Sequence, residues 1–151
     1  MTKPISNILS KQLLLTFLLS SISSCFIQTI FFGSYVNKWF TMSDVMNLNI
    51  LAIIFSLCLA ITSLTTLLNL SSKIRHDKIF LILSYFLFPC ILVWLTLIGM
   101  FNLKEKDIYP LDLMTLYISY VIVIVMFFAF HIYFYLRFRR NLKNLNLEVG
   151  I

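Results

Sequence analysis

The sequence predicts an all-α integral membrane protein, a four-transmembrane-helix bundle with both termini cytoplasmic. Three observations carry this reading. Four long stretches, 13–32, 45–70, 79–101 and 113–136, contain no Asp, Glu, Lys or Arg. Each has about 20 residues or more, enough as a helix to cross a ~30 Å hydrocarbon core. Composition agrees: 60% of residues are hydrophobic, 12% are charged, and the mean hydropathy is +0.94. A soluble domain carries about 25% charged residues. The third observation is charge placement. Lys3 and Lys11 precede the first stretch, Lys73, Arg75 and Lys78 separate the second from the third, and Arg137, Arg139, Arg140 and Lys143 follow the fourth. The other side holds Lys38, Lys104 and Lys106. By the positive-inside rule the basic side is cytoplasmic. Asp77 and Glu148 leave that face about +7, and Asp44, Glu105, Asp107 and Asp112 bring the outer face to about −1.

Span one (13–32) includes Ile22-Ser23-Ser24-Cys25, a loose bacterial lipobox. The apolar run continues past Cys25 through Phe26, Ile27, Ile30, Phe31 and Phe32, too long for the core of a signal peptide. An uncleaved span is expected. Thr16, Ser20, Ser24 and Gln28 recur every four residues and share one helix face. Tyr35, Trp39 and Phe40 follow at headgroup level, as does Tyr109 before span four, where amphipathic rings are favoured.

Span two (45–70) continues the polar pattern with Thr62, Thr66 and Asn69, and has a small-xxx-small pair in Ser56 and Ala60. Asn69-Leu70-Ser71 is a formal glycosylation sequon on the cytoplasmic side, where it has no use. Span three (79–101) carries Pro89, which is expected to kink it. Phe80, Phe86, Phe88 and Trp94, with Phe127, Phe128, Phe130 and Phe134 of span four, suit lipid contact or aromatic packing. Spans one and two are therefore expected to be the inner elements. Span four (113–136) adds Thr115 and Ser119, and Tyr133 and Tyr135 close its cytoplasmic end. Its His131 is placed either to snorkel to the interface or to bond a neighbouring span. In the basic cytoplasmic tail 137–151, Leu142, Leu145 and Val149 recur at helical spacing, which predicts a helix on the membrane surface. The connections are too short to bury a core, so 1–151 is a single membrane domain.

These residues exclude several function classes. No span holds an Asp, Glu, Lys or Arg, which pumps and proton-coupled transporters keep despite the cost. No carboxylate pair, metal-ligand spacing, nucleotide loop or Ser/His/Asp set is visible, so no catalytic residue, cofactor or metal is assigned. Cys25, Cys58 and Cys90 fall one per span and read as small packing residues. Glycines and prolines are too few for broken half-helices. Two features remain. The stripe Thr16, Ser20, Ser24, Gln28 and Asn69 suits close helix packing, within one bundle or between copies in a homo-oligomer, or else the lining of a weakly polar conduit. The basic set Lys73, Arg75, Lys78, Arg137, Arg139, Arg140 and Lys143 suits anionic lipid headgroups or an acidic soluble partner. The net charge of +6 belongs to this cytoplasmic surface and is not read as a nucleic-acid footprint.

Phe, Ile, Asn, Lys and Tyr are what AT-rich codons specify, and such genes are common on mobile elements and in defence islands. In size, four-span layout and lack of catalytic groups, the whole chain resembles two groups of bacterial membrane proteins. One is the membrane subunit of the Kiwa antiphage defence pair; the other is the four-span immunity proteins against pore-forming bacteriocins. The resemblance is one of architecture, without a motif, and transfers no functional residue. The Kiwa resemblance implies an oligomeric inner-membrane sensor working with a soluble partner that acts on phage DNA. The expected function is therefore a non-enzymatic inner-membrane sensor or scaffold subunit of a defence or immunity system. The alternative is a small oligomeric channel or transporter lined by the span-one stripe. A membrane enzyme fits the residues least.

Overall fold

A computed structural model describes residues 2–34, 41–71, 77–102 and 110–148, with side chains at 5–34, 41–68, 71, 77–99 and 114–141. Tyr35, Lys38, Trp39, Phe40, Lys73, Arg75, Lys104, Glu105, Lys106, Asp107 and Tyr109 lie outside the described residues. Among those described the chain is all helix: α1 (Thr2–Gly33), α2 (Met42–Thr62), a 3-10 helix η1 (Ser63–Leu70), α3 (Lys78–Asn102) and α4 (Pro110–Glu148). Four segments are long and apolar enough to cross a membrane: Ile5–Gly33, Met42–Leu68, Lys78–Gly99 and Met114–Asn141. Each runs past its predicted span at one end or both, because local chemistry carries the helix on.

At the start of α2, Thr41 and Asp44 form a reciprocal capping box. Asp44 N–H donates to Thr41 Oγ1 at 3.3 Å and Thr41 N–H donates to Asp44 Oδ2 at 2.8 Å, which satisfies first-turn donors. Asp77 does the same for α3, its Oδ1 accepting from Ile79 N–H at 2.8 Å. α4 is a single helix of 39 residues, so the tail continues span four without a break at Arg137.

The second span changes form near its end. Thr62 Oγ1 and Ser63 Oγ both donate to the Leu59 carbonyl, at 2.8 and 2.9 Å, and Thr65 Oγ1 lies 3.1 Å from the Thr62 carbonyl. These hydroxyls crowd the acceptors that an α-helix would use, and the chain tightens into eight residues of 3-10 helix.

α1 is the central element, packed against α2, α4 and η1, with α3 on η1. Its buried face is Ile5, Leu9, Gln12, Thr16, Ser20, Ser24, Gln28 and Phe32. Ile22 and Phe26 point the other way, each 66% exposed, an exterior that hydrocarbon solvates and water does not. Spans one and two are not alone as inner elements, and the span-four rings take the aromatic-packing reading in part. The end of span four is core, since Phe127, His131, Phe134, Tyr135 and Phe138 are buried, while Phe128 and Phe130 are half-buried. The reason is local: the rings surround a buried polar group that needs partners. Phe80, Phe88 and Trp94 do lie exposed, with Phe86 half-buried.

Replacing Thr41 by Ala removes the side-chain cap of α2 at a cost of about 1 kcal/mol. Amide exchange at Val45–Leu48 should quicken several-fold while the middle of α2 is unchanged, measured in detergent or nanodiscs.

Candidate functional site

The span-one stripe lies inside the bundle. Ser20, Ser24 and Gln28 are 0% exposed and Thr16 is 2% exposed. Gln12, which the sequence reading missed, extends it by one step of the same four-residue spacing and is also buried. A four-residue repeat overshoots the 3.6-residue turn by about 40° per step, so the stripe winds around α1 and meets different neighbours. At one end Gln12 Oε1 accepts from Tyr85 OH of α3 at 3.4 Å. At the other, Gln28 Nε2 donates to Ser119 Oγ of α4 at 2.8 Å and lies 3.3 Å from its carbonyl. Nearby, Asn49 Nδ2 donates to Thr29 Oγ1 at 3.0 Å, which ties α2 to α1. Among the described residues the hydroxyls of Ser24 and Ser56 have no hydrogen-bond partner. Their value in these positions is small size, which lets helix backbones approach. Asn69 falls in η1, and its side chain lies outside the described residues.

Within one copy the stripe is enclosed. A conduit needs open space, and helix packing fills the positions of Ser20, Ser24 and Gln28. Beside Thr16 a space of about 10 Å³ remains, lined also by Gln12, Thr66, Tyr85 and His131, the size of one water.

His131 is 2% exposed and does not snorkel. Its Nε2 lies 2.9 Å from the Tyr85 carbonyl. That carbonyl sits four residues before Pro89, which has no N–H to give it. The α3 ladder is therefore broken at this point, and a side chain of α4 closes it. A carbonyl only accepts, so the hydrogen is on Nε2. The preceding carbonyl, Ser84, receives Thr65 Oγ1 of η1 at 2.8 Å. Rings then enclose the site: Phe127 stacks on His131 at 5.3 Å, Phe86 meets it edge-on at 5.3 Å, and Tyr135 meets Tyr85 at 5.1 Å. Sequence reasoning missed this cap. A proline in one span and a lone His in another were the available signals, but the pairing of the spans was not.

The basic residues gather at one end. Lys11, Lys78, Arg137, Arg139 and Arg140 are exposed, at the end where α1 and α3 begin and α4 leaves its apolar stretch. Lys73 and Arg75, and the side chain of Lys143, lie outside the described residues. This end is ordered by packing of Ile5 and Leu9 of α1 with Leu81 and Tyr85 of α3 and Tyr135 and Phe138 of α4. Two helices project here. A hydrocarbon core needs only about 20 helical residues to cross, and counted from Gly33 and Met114 that length ends ten or so residues after the start of α1 and a dozen or so before the end of α4.

Among the described residues no group of three or more His, Cys, Asp or Glu stands together. Cys25, Cys58 and Cys90 are free thiols on separate helices. A groove of about 250 Å³ opens between α2 and α4, lined by Leu51, Phe55, Cys58, Thr96, Ser119 and Tyr120 among others.

Two tests follow from the stripe. Because Ser24 Oγ bonds nothing, Ser24→Ala should be neutral or slightly stabilising, whereas Ser24→Leu should cost roughly 1–3 kcal/mol by overpacking. A double-mutant cycle of Gln28→Met and Ser119→Ala should give a coupling of about 0.6–2 kcal/mol in reversible unfolding in mixed micelles. Compared with protein-family models, curated proteins and solved structures, the chain matches none of them.

Proposed function

We propose that the protein is a non-enzymatic membrane sensor or scaffold subunit of a bacterial defence or immunity system, of the kind the Kiwa membrane subunit and four-span bacteriocin immunity proteins represent. It lies in the cytoplasmic membrane with both termini inside and recruits a soluble acidic protein through its basic end. The observation that carries the reading is the contrast between the two parts of the molecule. The polar groups inside the bundle are spent on helix packing and on closing the α3 ladder, whereas five basic side chains stand free on two projecting helices and the start of a third. Four crossings return the chain to the side on which it began, and the excess of basic residues makes that side cytoplasmic. Anionic headgroups contribute about 1 kcal/mol per basic residue near the surface, and steer the same face.

Oligomerisation belongs to the same proposal, with one change from the sequence reading. The stripe is buried within one copy, so a second copy meets the lipid-facing exterior instead. Native mass measurement in mild detergent should return a multiple of 17.7 kDa; a monomer at all protein-to-detergent ratios removes this part.

Orientation is checked by labelling in a background with Cys25, Cys58 and Cys90 replaced. Lys38→Cys and Lys104→Cys should react with an impermeant thiol reagent in intact cells, and Arg75→Cys only after lysis. Recruitment is checked by changing Arg139, Arg140 and Lys143 to Gln. Co-recovery of the soluble protein encoded beside it should fall, and should fall further as salt is raised, because the Debye length is only ~8 Å at physiological ionic strength. Protection against phage or bacteriocin should drop in parallel with insertion intact. Wild-type recovery and protection in the triple variant would move the function to the spans.

A further inference from the structure

Burial in α3 stops at Pro89. Leu81, Ser84, Tyr85 and Pro89 are buried, whereas no residue from Cys90 to Gly99 is. Trp94 and Leu95 are 66% and 58% exposed. The first half is held by the Tyr85 and Phe86 rings against α4, and by Thr65 on the Ser84 carbonyl. The second half is held through one polar side chain of α4: Tyr120 donates to the Val93 carbonyl at 3.2 Å and shares a short contact with the Thr96 hydroxyl. Leu92 and Val93 add partly buried contacts. Beside this half lies the groove of about 250 Å³, with Thr96 and Tyr120 on its wall.

We propose that residues 90–102 of α3 form an arm that swings about Pro89 to open and close this groove, with the Tyr120 hydroxyl as its latch. Three features converge on it. Proline removes the N–H that would stiffen the helix at that point. His131 holds the Tyr85 carbonyl from α4, so the freed acceptor stays bonded at any angle of the arm, as hydrocarbon requires. The groove gives the arm room on one side and lipid gives it room on the other. A 20° swing moves Ile98, about 13 Å beyond the hinge, by about 5 Å. The device concerns the bundle itself and stands whether or not the basic end recruits a partner.

Spin-label distances in nanodiscs test it, with Cys25, Cys58 and Cys90 replaced by Ala. The pair Ile22→Cys and Ile98→Cys spans from α1 to the arm; the pair Leu14→Cys and Ile79→Cys spans from α1 to the anchored half. All four positions are exposed. In the wild type the first pair should show the broader distribution. Tyr120→Phe should broaden or shift it by about 5 Å while leaving the second pair unchanged, and adding Pro89→Ala should narrow it again. Equal widths for both pairs in the wild type overturn the arm without reliance on any variant. So does a Tyr120→Phe variant that leaves the first pair unmoved, or that moves both pairs alike, which is general loosening.

Discussion

A proline in a membrane helix leaves a carbonyl that nothing in hydrocarbon can satisfy, and the basic half of this bundle is organised around meeting that need. Pro89 cannot donate to the Tyr85 carbonyl; His131 does, from another helix. An unpaired carbonyl in this setting costs several kcal/mol, more than any single contact nearby contributes. The bond therefore fixes which residues of α3 and α4 stand opposite each other. It also holds Phe127, Phe134, Tyr135 and Phe138 inward, since their helix face is the face that carries His131. Aromatic packing follows from a polar requirement here, which reverses the order usual in a soluble core.

The second constraint is the absence of hydrophobic drive between helices in lipid. Leucine gains nothing by leaving hydrocarbon, so association rests on close fit and on interhelical hydrogen bonds. The α1 stripe supplies both in alternation. Gln12 and Gln28 bond neighbours at its two ends, while Ser20 and Ser24 in between are enclosed with little volume. Because the stripe winds, one helix touches all the others, and this places α1 at the centre although its outer face is as apolar as any lipid-facing helix.

What the sequence made legible was everything set by solvent. Charge-free length gave the four spans, the basic excess gave the distinguished end, and the spacing of Thr16, Ser20, Ser24 and Gln28 gave the buried face of α1. What it hid was everything set by a partner on another helix. Gln12 looked like a residue of the flank because Lys11 precedes it, yet it bonds Tyr85. The phenylalanines of span four left lipid contact and aromatic packing both open, because hydropathy does not distinguish a buried ring from one in acyl chains. The 3-10 turn was hidden for a different reason. Thr62, Ser63 and Thr65 are unremarkable one at a time, and only their joint demand on the Leu59 and Thr62 carbonyls changes the helix. The start of α2 was set by local chemistry that charge-free length does not register, since Asp44 caps the helix it begins.

The two halves of the molecule thus differ in kind. Towards the basic end three polar pairs join helices: Gln12 with Tyr85, the Tyr85 carbonyl with His131, and Thr65 with the Ser84 carbonyl. Towards the opposite end helices are also tied, Gln28 to Ser119, Asn49 to Thr29 and Tyr120 to Val93, but a groove opens between α2 and α4. The groove and the absence of buried residues over 90–99 leave room at that end, and deformation concentrates where packing resists it least. The aromatic-packed end is also the end at which Lys11, Lys78, Arg137, Arg139 and Arg140 are exposed. A charged surface that must present a fixed pattern to a soluble protein gains from rigid support, because ordering it on binding would cost conformational entropy. The end proposed to recruit a partner and the arm proposed to move therefore lie at opposite ends of the bundle, joined by α1 and by the anchored half of α3.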